Sequence, residues 1–249
     1  MSGSFLILLT NDDGIGAPGL THLERALAPL ARVVTVAPAG ERSAASHALT
    51  LMSPLRIHAA GDDRYAVDGT TADCILVAMN KMLQQPPHLV VSGINAGNNL
   101  GDDTVYSGTV AGAREGSMYG IPSVAFSLRY AAVMDFAFWA GQAATLCRRL
   151  LDSPLPPGIF LNVNFPDAPP RGVRTTRLSR KFARSSIYEN DDPRGMKYYW
   201  IGEDESSWDQ ADDTDFWAVT NGFVSITPLH RDQTSYDMIE AVRETYEQD

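Results

Sequence analysis

The chain has 249 residues and 27.1 kDa, with 20 Lys+Arg against 30 Asp+Glu and a formal net charge of −10. That length fits one large α/β domain or two small ones, and with 44% hydrophobic and 20% charged residues the composition is ordinary for a globular protein and excludes a disordered or low-complexity chain. The acidic balance opposes stable binding to nucleic-acid polymers or anionic membranes, though not to a small phosphorylated ligand at one local site.

Phe5–Leu9 is a short continuous apolar run abutted by turn residues, which predicts a strand buried on both faces. Pro18 then opens an amphipathic helix carrying Leu20, Leu23, Leu27 and Leu30, and Val33–Val36 is the second buried strand. Leu55–His58 and Tyr65–Val67 read as short extra strands. Thr71 is the expected cap of a helix reaching about Leu83, and His88–Val91 is a strand that runs into a polar, glycine-rich loop. Ser107 is placed to cap a helix ended by Gly120, Pro122–Phe126 begins a strand, and a helix near Ala132–Leu151 precedes a strand at Ile159–Val163. This alternation predicts an α/β fold, a doubly wound, mostly parallel sheet. No stretch is long and apolar enough for a membrane helix. The start has no basic segment of a signal peptide, and Cys74 and Cys147 lack metal-ligand or redox neighbours; both features point to the cytoplasm.

Beyond about Asp167 the character changes. Arg171, Arg174, Arg177, Arg180, Lys181 and Arg184 form a basic run, and Glu203–Asp215 is acidic. Met196–Ile201 and Trp217–Ile226 have the content of strands, so this third reads as a hairpin-like excursion. Its opposite charges can pair with each other, with a second subunit, or with solvent alone.

Three strands each run directly into an unusual polar loop: Thr10–Gly14, Pro38–Ser43 and Ser92–Asn99. In an open parallel sheet the carboxyl ends of the strands share one edge, so the three loops are expected to meet there. Asp12 and Asp13 would point to opposite faces of a regular strand, but Gly14 and Gly16 let the backbone turn and the carboxylates converge. Two such carboxylates repel unless a cation lies beside them. With a serine hydroxyl of the second loop, Ser43 or Ser46, and the Asn95 amide oxygen they make a hard donor set suited to Mg²⁺, Mn²⁺ or Ca²⁺. The same Asn-Asp-Asp-Gly is also a good turn and capping sequence. Ser107-Gly108-Thr109, opening a helix, offers free N–H groups and two hydroxyls to a phosphate. Metal beside phosphate is the arrangement of phosphoryl chemistry. His47 lies near Ser43 but reads as structural, and the outline GxGxxG of Gly14, Gly16 and Gly19 is weakened by Pro18 and the preceding aspartates.

The segments LLTNDDGIGAPGL (8–20), PAGERSAASHALTL (38–51) and SGINAGNNLGDDTVYSGTVAGAREG (92–116) together resemble the signature of the SurE survival protein family. The resemblance is dense over residues 5–165 and looser beyond. It implies one domain over 1–249: a Rossmann-like core, with a C-terminal excursion over about 168–249 that serves homodimer or homotetramer formation. It also implies a metal-dependent 5′/3′-nucleotidase acting on nucleoside monophosphates. Matched position by position, the divalent cation (Mg²⁺ or Mn²⁺), one per subunit, falls to Asp12, Asp13, Ser43 and Asn95. The phosphate falls to Asn99, Ser107, Gly108 and Thr109, with Asp12, Asn99 and Ser107 as the catalytic set and Asp12 as base. Asn98 departs from the family's usual proline, which would loosen its loop. Two other readings stay open on these residues: a non-catalytic nucleotide-binding module, and a phosphatase with an aspartyl nucleophile, whose usual Asp-x-Asp spacing is absent.

Overall fold

Five apolar runs pair side by side in parallel to make the centre of the molecule. In the computed structural model, which describes residues 5–181, 186–202 and 208–247, these are β1 (Leu6–Thr10), β2 (Arg32–Pro38), β5 (Leu89–Ala96), β6 (Ser123–Leu128) and β7 (Ile159–Phe165). The extra strands β3 (Ile57–Gly61) and β4 (Arg64–Val67) form as expected and extend one edge. At the other edge lie β8 (Val173–Thr175) and β11 (Val224–His230), giving nine strands in the order β3-β4-β2-β1-β5-β6-β7-β11-β8. Pairing is parallel except for β3 with β4 and β11 with β7.

Side chains of β1 alternate between two helical layers, as a doubly covered strand requires. Ile7 and Leu9 face α1 (Pro18–Leu27) and α4 (Phe136–Asp152), joining Leu20, Leu23, Leu27 and Trp139 in the larger core. Leu6 and Leu8 face the opposite layer with Val34, Val36, Cys74 and Ile75, the last two on α2 (Thr71–Val77). Each fully buried leucine on α1 contributes about 1.5–3 kcal/mol. On the α2 side lies also α3 (Gly108–Met118).

Several boundaries differ from expectation. The cap of α2 is Thr70 rather than Thr71, because Asp73 completes a capping box with Thr70, and the final turn widens into a π-helix over Ala78–Met82. Strand β5 continues through Asn95 and Ala96 instead of stopping at Val91, with its register to β6 shifted between Ser92 and Asn95. Trp217–Ile226 is not one strand. Thr214 caps a short helix, α5 (Asp215–Thr220), and β11 follows only after a turn at Gly222. Burial of Phe216 and Val219 with Leu100 and Trp208 decides that stretch, overriding its strand-like composition.

The C-terminal third is thus partly woven into the sheet. The hairpin appears as β9 (Ser186–Asp191) paired antiparallel with β10 (Lys197–Gly202), and a last helix, α6, spans Ile239–Tyr246. Opposite charges pair within the chain, Arg177 with Asp209 at 3.0 Å and Asp213 at 2.8 Å, and Lys181 with Asp103 at 2.5 Å. Arg184 and residues 203–207 of the acidic segment lie outside the described residues. Among the described residues no helix is long and apolar enough to cross a membrane.

Candidate active site

Strand β1 leads by way of α1 to β2 on one side, while β5 leads by way of α3 to β6 on the other. The crevice between the carboxyl ends of β1 and β5 is therefore the switch point of the sheet, where such folds bind ligands. The three polar loops do meet there. The Ile15 N–H donates to the Pro38 carbonyl (2.8 Å), the Arg42 N–H to the Asp12 carbonyl (2.8 Å) and the Ala96 N–H to Asp13 Oδ2 (3.2 Å). Gly14 turns the chain at φ +98°, a conformation costly for any other residue, with the Gly40 backbone 3.0 Å from where its Cβ would lie.

Asp12 is buried and Asp13 half-buried. Burial pushes the Asp12 carboxyl up to about 6, against a hydrogen bond from the Thr109 hydroxyl and with help from the Asp13 charge. Burial also raises Asp13, opposed by the Ala96 N–H and assisted by Glu41. No cationic side chain among the described residues offsets either carboxylate. Just behind them the Asn11 amide nitrogen donates to the Gly14 carbonyl at 3.0 Å, while its buried oxygen has no partner.

Against this pair stands the start of α3. A Cβ on Gly108 would lie 2.8 Å from Asp12 Cβ and 2.9 Å from Asp12 Oδ2. One and two turns on, Gly112 sits as close to Ser92 and Thr71, and Gly116 to Ser123 and Val90. This i, i+4 glycine row lets α3 lie tight on the sheet with its first turn on the Asp12 carboxylate. The Ser107 hydroxyl oxygen accepts from the Val110 N–H at 3.0 Å and the Ser107 carbonyl from the Ala111 N–H. That leaves the Gly108 and Thr109 N–H groups without an intrahelical acceptor, at the positive end of the helix. The two hydroxyls expected to face an anion are spoken for differently: Thr109 donates to Asp12, and Ser107 caps the helix while keeping its own proton to donate.

The third loop is held from β7. Asn99 donates its backbone N–H to Asn164 Oδ1 (2.9 Å), and its carbonyl accepts from the side-chain amides of Asn162 (2.8 Å) and Asn164 (3.0 Å). Its own amide nitrogen donates to Ser127 Oγ at 2.7 Å. Asn98 does not loosen this loop. Its amide nitrogen donates to Asn164 Oδ1 and the Phe165 carbonyl, both at 3.3 Å, substituting tethers for the stiffness of a proline ring. Asn95 spends its amide N–H on the Gly97 carbonyl at 2.9 Å and retains its oxygen. Asn162, Asn164 and Asp215, whose carboxylate accepts from the Gly101 and Ser179 N–H groups at 2.8 Å each, were not anticipated from the sequence. The alternating Asn-Val-Asn in an otherwise apolar strand was the available signal, since it puts two amides on one face.

Ser43 lies at the rim. It is exposed, with its hydroxyl on Glu41 Oε1 at 2.8 Å, one residue from the Arg42 N–H bond to Asp12. His47 is structural, pairing with Glu115 of α3 at 2.7 Å. Gly19 of the outline dinucleotide motif packs α1 on β5, its Cβ position 2.0 Å from the Ile94 carbonyl.

The residues fit a hard divalent cation. Two uncompensated carboxylates and a retained amide oxygen are hard oxygen donors, and among the described residues no group of three or more His, Cys, Asp or Glu is placed to hold a metal ion.

The sequence model of the family described as Survival protein SurE matches residues 7–186. The 5′-nucleotidase SurE of Alkalilimnicola ehrlichii is 46% identical over 239 residues, covering 95% of this chain and 93% of its own. That of Pelobacter propionicus is 47% identical over 240 residues, covering 95% and 97%. The crystal structure of the SurE protein from Aquifex aeolicus superposes with a TM-score of 0.88 at 40% identity, covering 96% of this chain and 99% of that one. On these matches, and with its three polar loops gathered at the switch point of the sheet, the chain belongs to the SurE family.

Proposed function

We propose that the chain is a divalent-metal-dependent 5′/3′-nucleotidase that hydrolyses nucleoside monophosphates to nucleoside and phosphate. The observation that carries this reading is the contact of Gly108 with Asp12, which puts one of the two adjacent carboxylates against the N–H groups of a helix N-terminus, that of Thr109 among the groups hydrogen-bonded to Asp12. Carboxylates alone repel a phosphate, and a helix end alone binds one without cleaving it. Side by side they make a place where a phosphoester is both held and attacked. The names of the SurE relatives point the same way.

Asp12, Asp13, Ser43 and Asn95 would hold one Mg²⁺ or Mn²⁺ per subunit. When bound, the cation supplies Lewis-acid polarisation of a phosphoryl oxygen and a water of lowered pKa. The chain does the rest. The Gly108 and Thr109 N–H groups and the Ser107 hydroxyl orient the phosphoryl oxygens and stabilise charge developing on them. Asn99, locked by Ser127, Asn162 and Asn164, supports the opposite side. Asp12, buried and fixed through Oδ1 by Thr109, accepts the proton of the attacking water.

In the same reading the chain is one domain that works as a homodimer or homotetramer. The hairpin of β9 and β10 supports this, for Ile187, Tyr199, Trp200 and Ile201 are all exposed on it. Its free, buried cysteines suit the cytoplasm. The test is phosphate release from a panel of nucleoside monophosphates with Mg²⁺, Mn²⁺ or Ca²⁺ and a chelated control. Release that needs the cation supports the proposal. Tight nucleotide binding with no release under any cation overturns it in favour of a binding module.

A further inference from the structure

The strand pair β3–β4, added to one edge of the parallel sheet, touches two of the three loops at the site. The Val67 carbonyl at the end of β4 accepts from the Ala39 N–H at 2.8 Å, and the Gly69 carbonyl just beyond it accepts from Arg42 Nε at 3.3 Å. Both bonds hold the Pro38–Ser43 loop. From the start of β4 a side chain reaches the loop of the two aspartates. Arg64 Nη2 donates to the Ile15 carbonyl and to Thr21 Oγ1 (3.3 Å), while Nη1 pairs with Glu24 of α1 at 2.5 Å. The Thr21 hydroxyl extends the tether, donating to the Ala17 carbonyl at 3.2 Å. One guanidinium thus fixes, directly or through Thr21, two carbonyls of the turn that follows Asp12 and Asp13. We infer that Arg64 is a positioning residue for the metal site, setting the geometry of the Asp12 and Asp13 carboxylates by holding the exit of their loop.

Two features set this contact apart from a surface ion pair. The Arg64 and Glu24 side chains are 19% and 25% exposed, against 62% and 35% for the neighbouring pair of Arg32 and Asp63. The Arg64 contacts are therefore shielded from the solvent that weakens exposed pairs. Arg64 also lends no charge to the carboxylates, which are held down by hydrogen bonds alone. Its influence runs through the backbone, so it orients the two donors without competing with a cation for them. A lysine carries the same charge but not the planar fork, and its single ammonium cannot serve Glu24 and Ile15 in the same geometry.

This role for Arg64 rests on the metal-dependent nucleotidase reading, and Mn²⁺ binding without nucleotide tests it apart from turnover. Free Mn²⁺ is followed by electron paramagnetic resonance in titrations of the wild type, Arg64→Met, Arg64→Lys and, as a control, Arg32→Met, each also measured in denaturant unfolding. Arg64→Met is expected to weaken Mn²⁺ binding by about 10- to 100-fold, the usual effect of removing a group that orients metal ligands. Arg64→Lys is expected to fall between it and the wild type, and Arg32→Met to match the wild type. In hydrogen exchange the Ile15 and Ala17 N–H groups, bonded to the Pro38 and Gly14 carbonyls, are expected to lose protection in Arg64→Met. A contact that only stabilises the fold would lower the unfolding midpoint and leave the affinity in place. Wild-type Mn²⁺ affinity in folded Arg64→Met, or an equal loss in Arg32→Met, therefore overturns the inference. If Arg64→Met does not fold, Arg64→Lys decides, and wild-type affinity there overturns it. If the wild type binds no Mn²⁺, the metal-dependent reading fails by itself; unchanged exchange at Ile15 and Ala17 then overturns the role of Arg64, and lost protection supports it.

Discussion

Gly108→Ala is the perturbation that separates this account from a generic capped helix. The new methyl carbon would lie 2.8 Å from Asp12 Cβ and 2.9 Å from Asp12 Oδ2, where ordinary contact begins at 3.4 Å. The shortfall is 3.4 − 2.8 = 0.6 Å, and neither partner can yield cheaply. Asp12 sits at the end of a central strand with its carboxylate fastened to Thr109, and α3 is seated through Gly112 and Gly116. Either the carboxylate or the first turn of the helix must shift by about that amount. A misplacement approaching 1 Å at a reacting centre costs on the order of 100-fold, so a loss of about 10- to 100-fold in kcat/KM is expected. Stability changes less. Overpacking costs about 1–3 kcal/mol, and replacing glycine by alanine in a helix returns about 0.5–1 kcal/mol. The assay pairs phosphate-release kinetics with thermal unfolding of Gly108→Ala and of Gly16→Ala, whose Cβ would meet nothing within 4 Å. Gly16→Ala is expected to be silent in both. Near-normal turnover of Gly108→Ala would refute the argument that the carboxylate and the helix end work in contact.

Asp12→Asn removes the proton acceptor while keeping size and shape, and is expected to lower turnover by about 10²- to 10⁴-fold with the thermal unfolding transition largely retained. Asp73 gives a pH test away from the site. Burial raises its carboxyl, but hydrogen bonds from the Thr50 hydroxyl and from the Thr70 and Thr50 N–H groups outweigh this and leave it below the usual carboxylate range. A carboxyl depressed in the folded state contributes stability above its unfolded value, about 3.9, and loses it as the pH falls through the folded value. Asp73→Asn is therefore expected to cost about 1–3 kcal/mol at pH 7, a gap in denaturant unfolding that narrows toward pH 3; a constant gap contradicts the charge-based account. Burial pushes the thiols of Cys74 and Cys147 far up, so a thiol reagent is expected to label neither until the chain unfolds, and fast labelling of the native protein would show the core to be more open than described.

The parallel sheet was legible because its strands are short apolar runs buried on both faces, a signal that needs no tertiary information. The meeting of the Asp12, Pro38 and Asn95 loops was legible for the same reason, since topology alone gathers strand ends. What escaped depends on contacts between distant segments. Trp217–Ile226 reads as strand by composition, and only the apolar surface of Leu100 and Trp208 makes half of it a helix. Asn162 and Asn164 matter because a loop more than 60 residues earlier in the chain lands on them. Thr109 looked like an anion ligand until the glycine row brought its hydroxyl onto Asp12. Asp215 sits in a segment that reads as acidic surface, yet it is buried among backbone N–H groups.

Crystals soaked in Mn²⁺ and measured for anomalous scattering test the central claim most directly. The account predicts one strong peak within about 2.0–2.4 Å of carboxylate oxygens of both Asp12 and Asp13, with the Asn95 amide oxygen turned toward it and the peak lost in Asp13→Ala. An empty site under saturating Mn²⁺, or a peak elsewhere on the molecule alone, would contradict it.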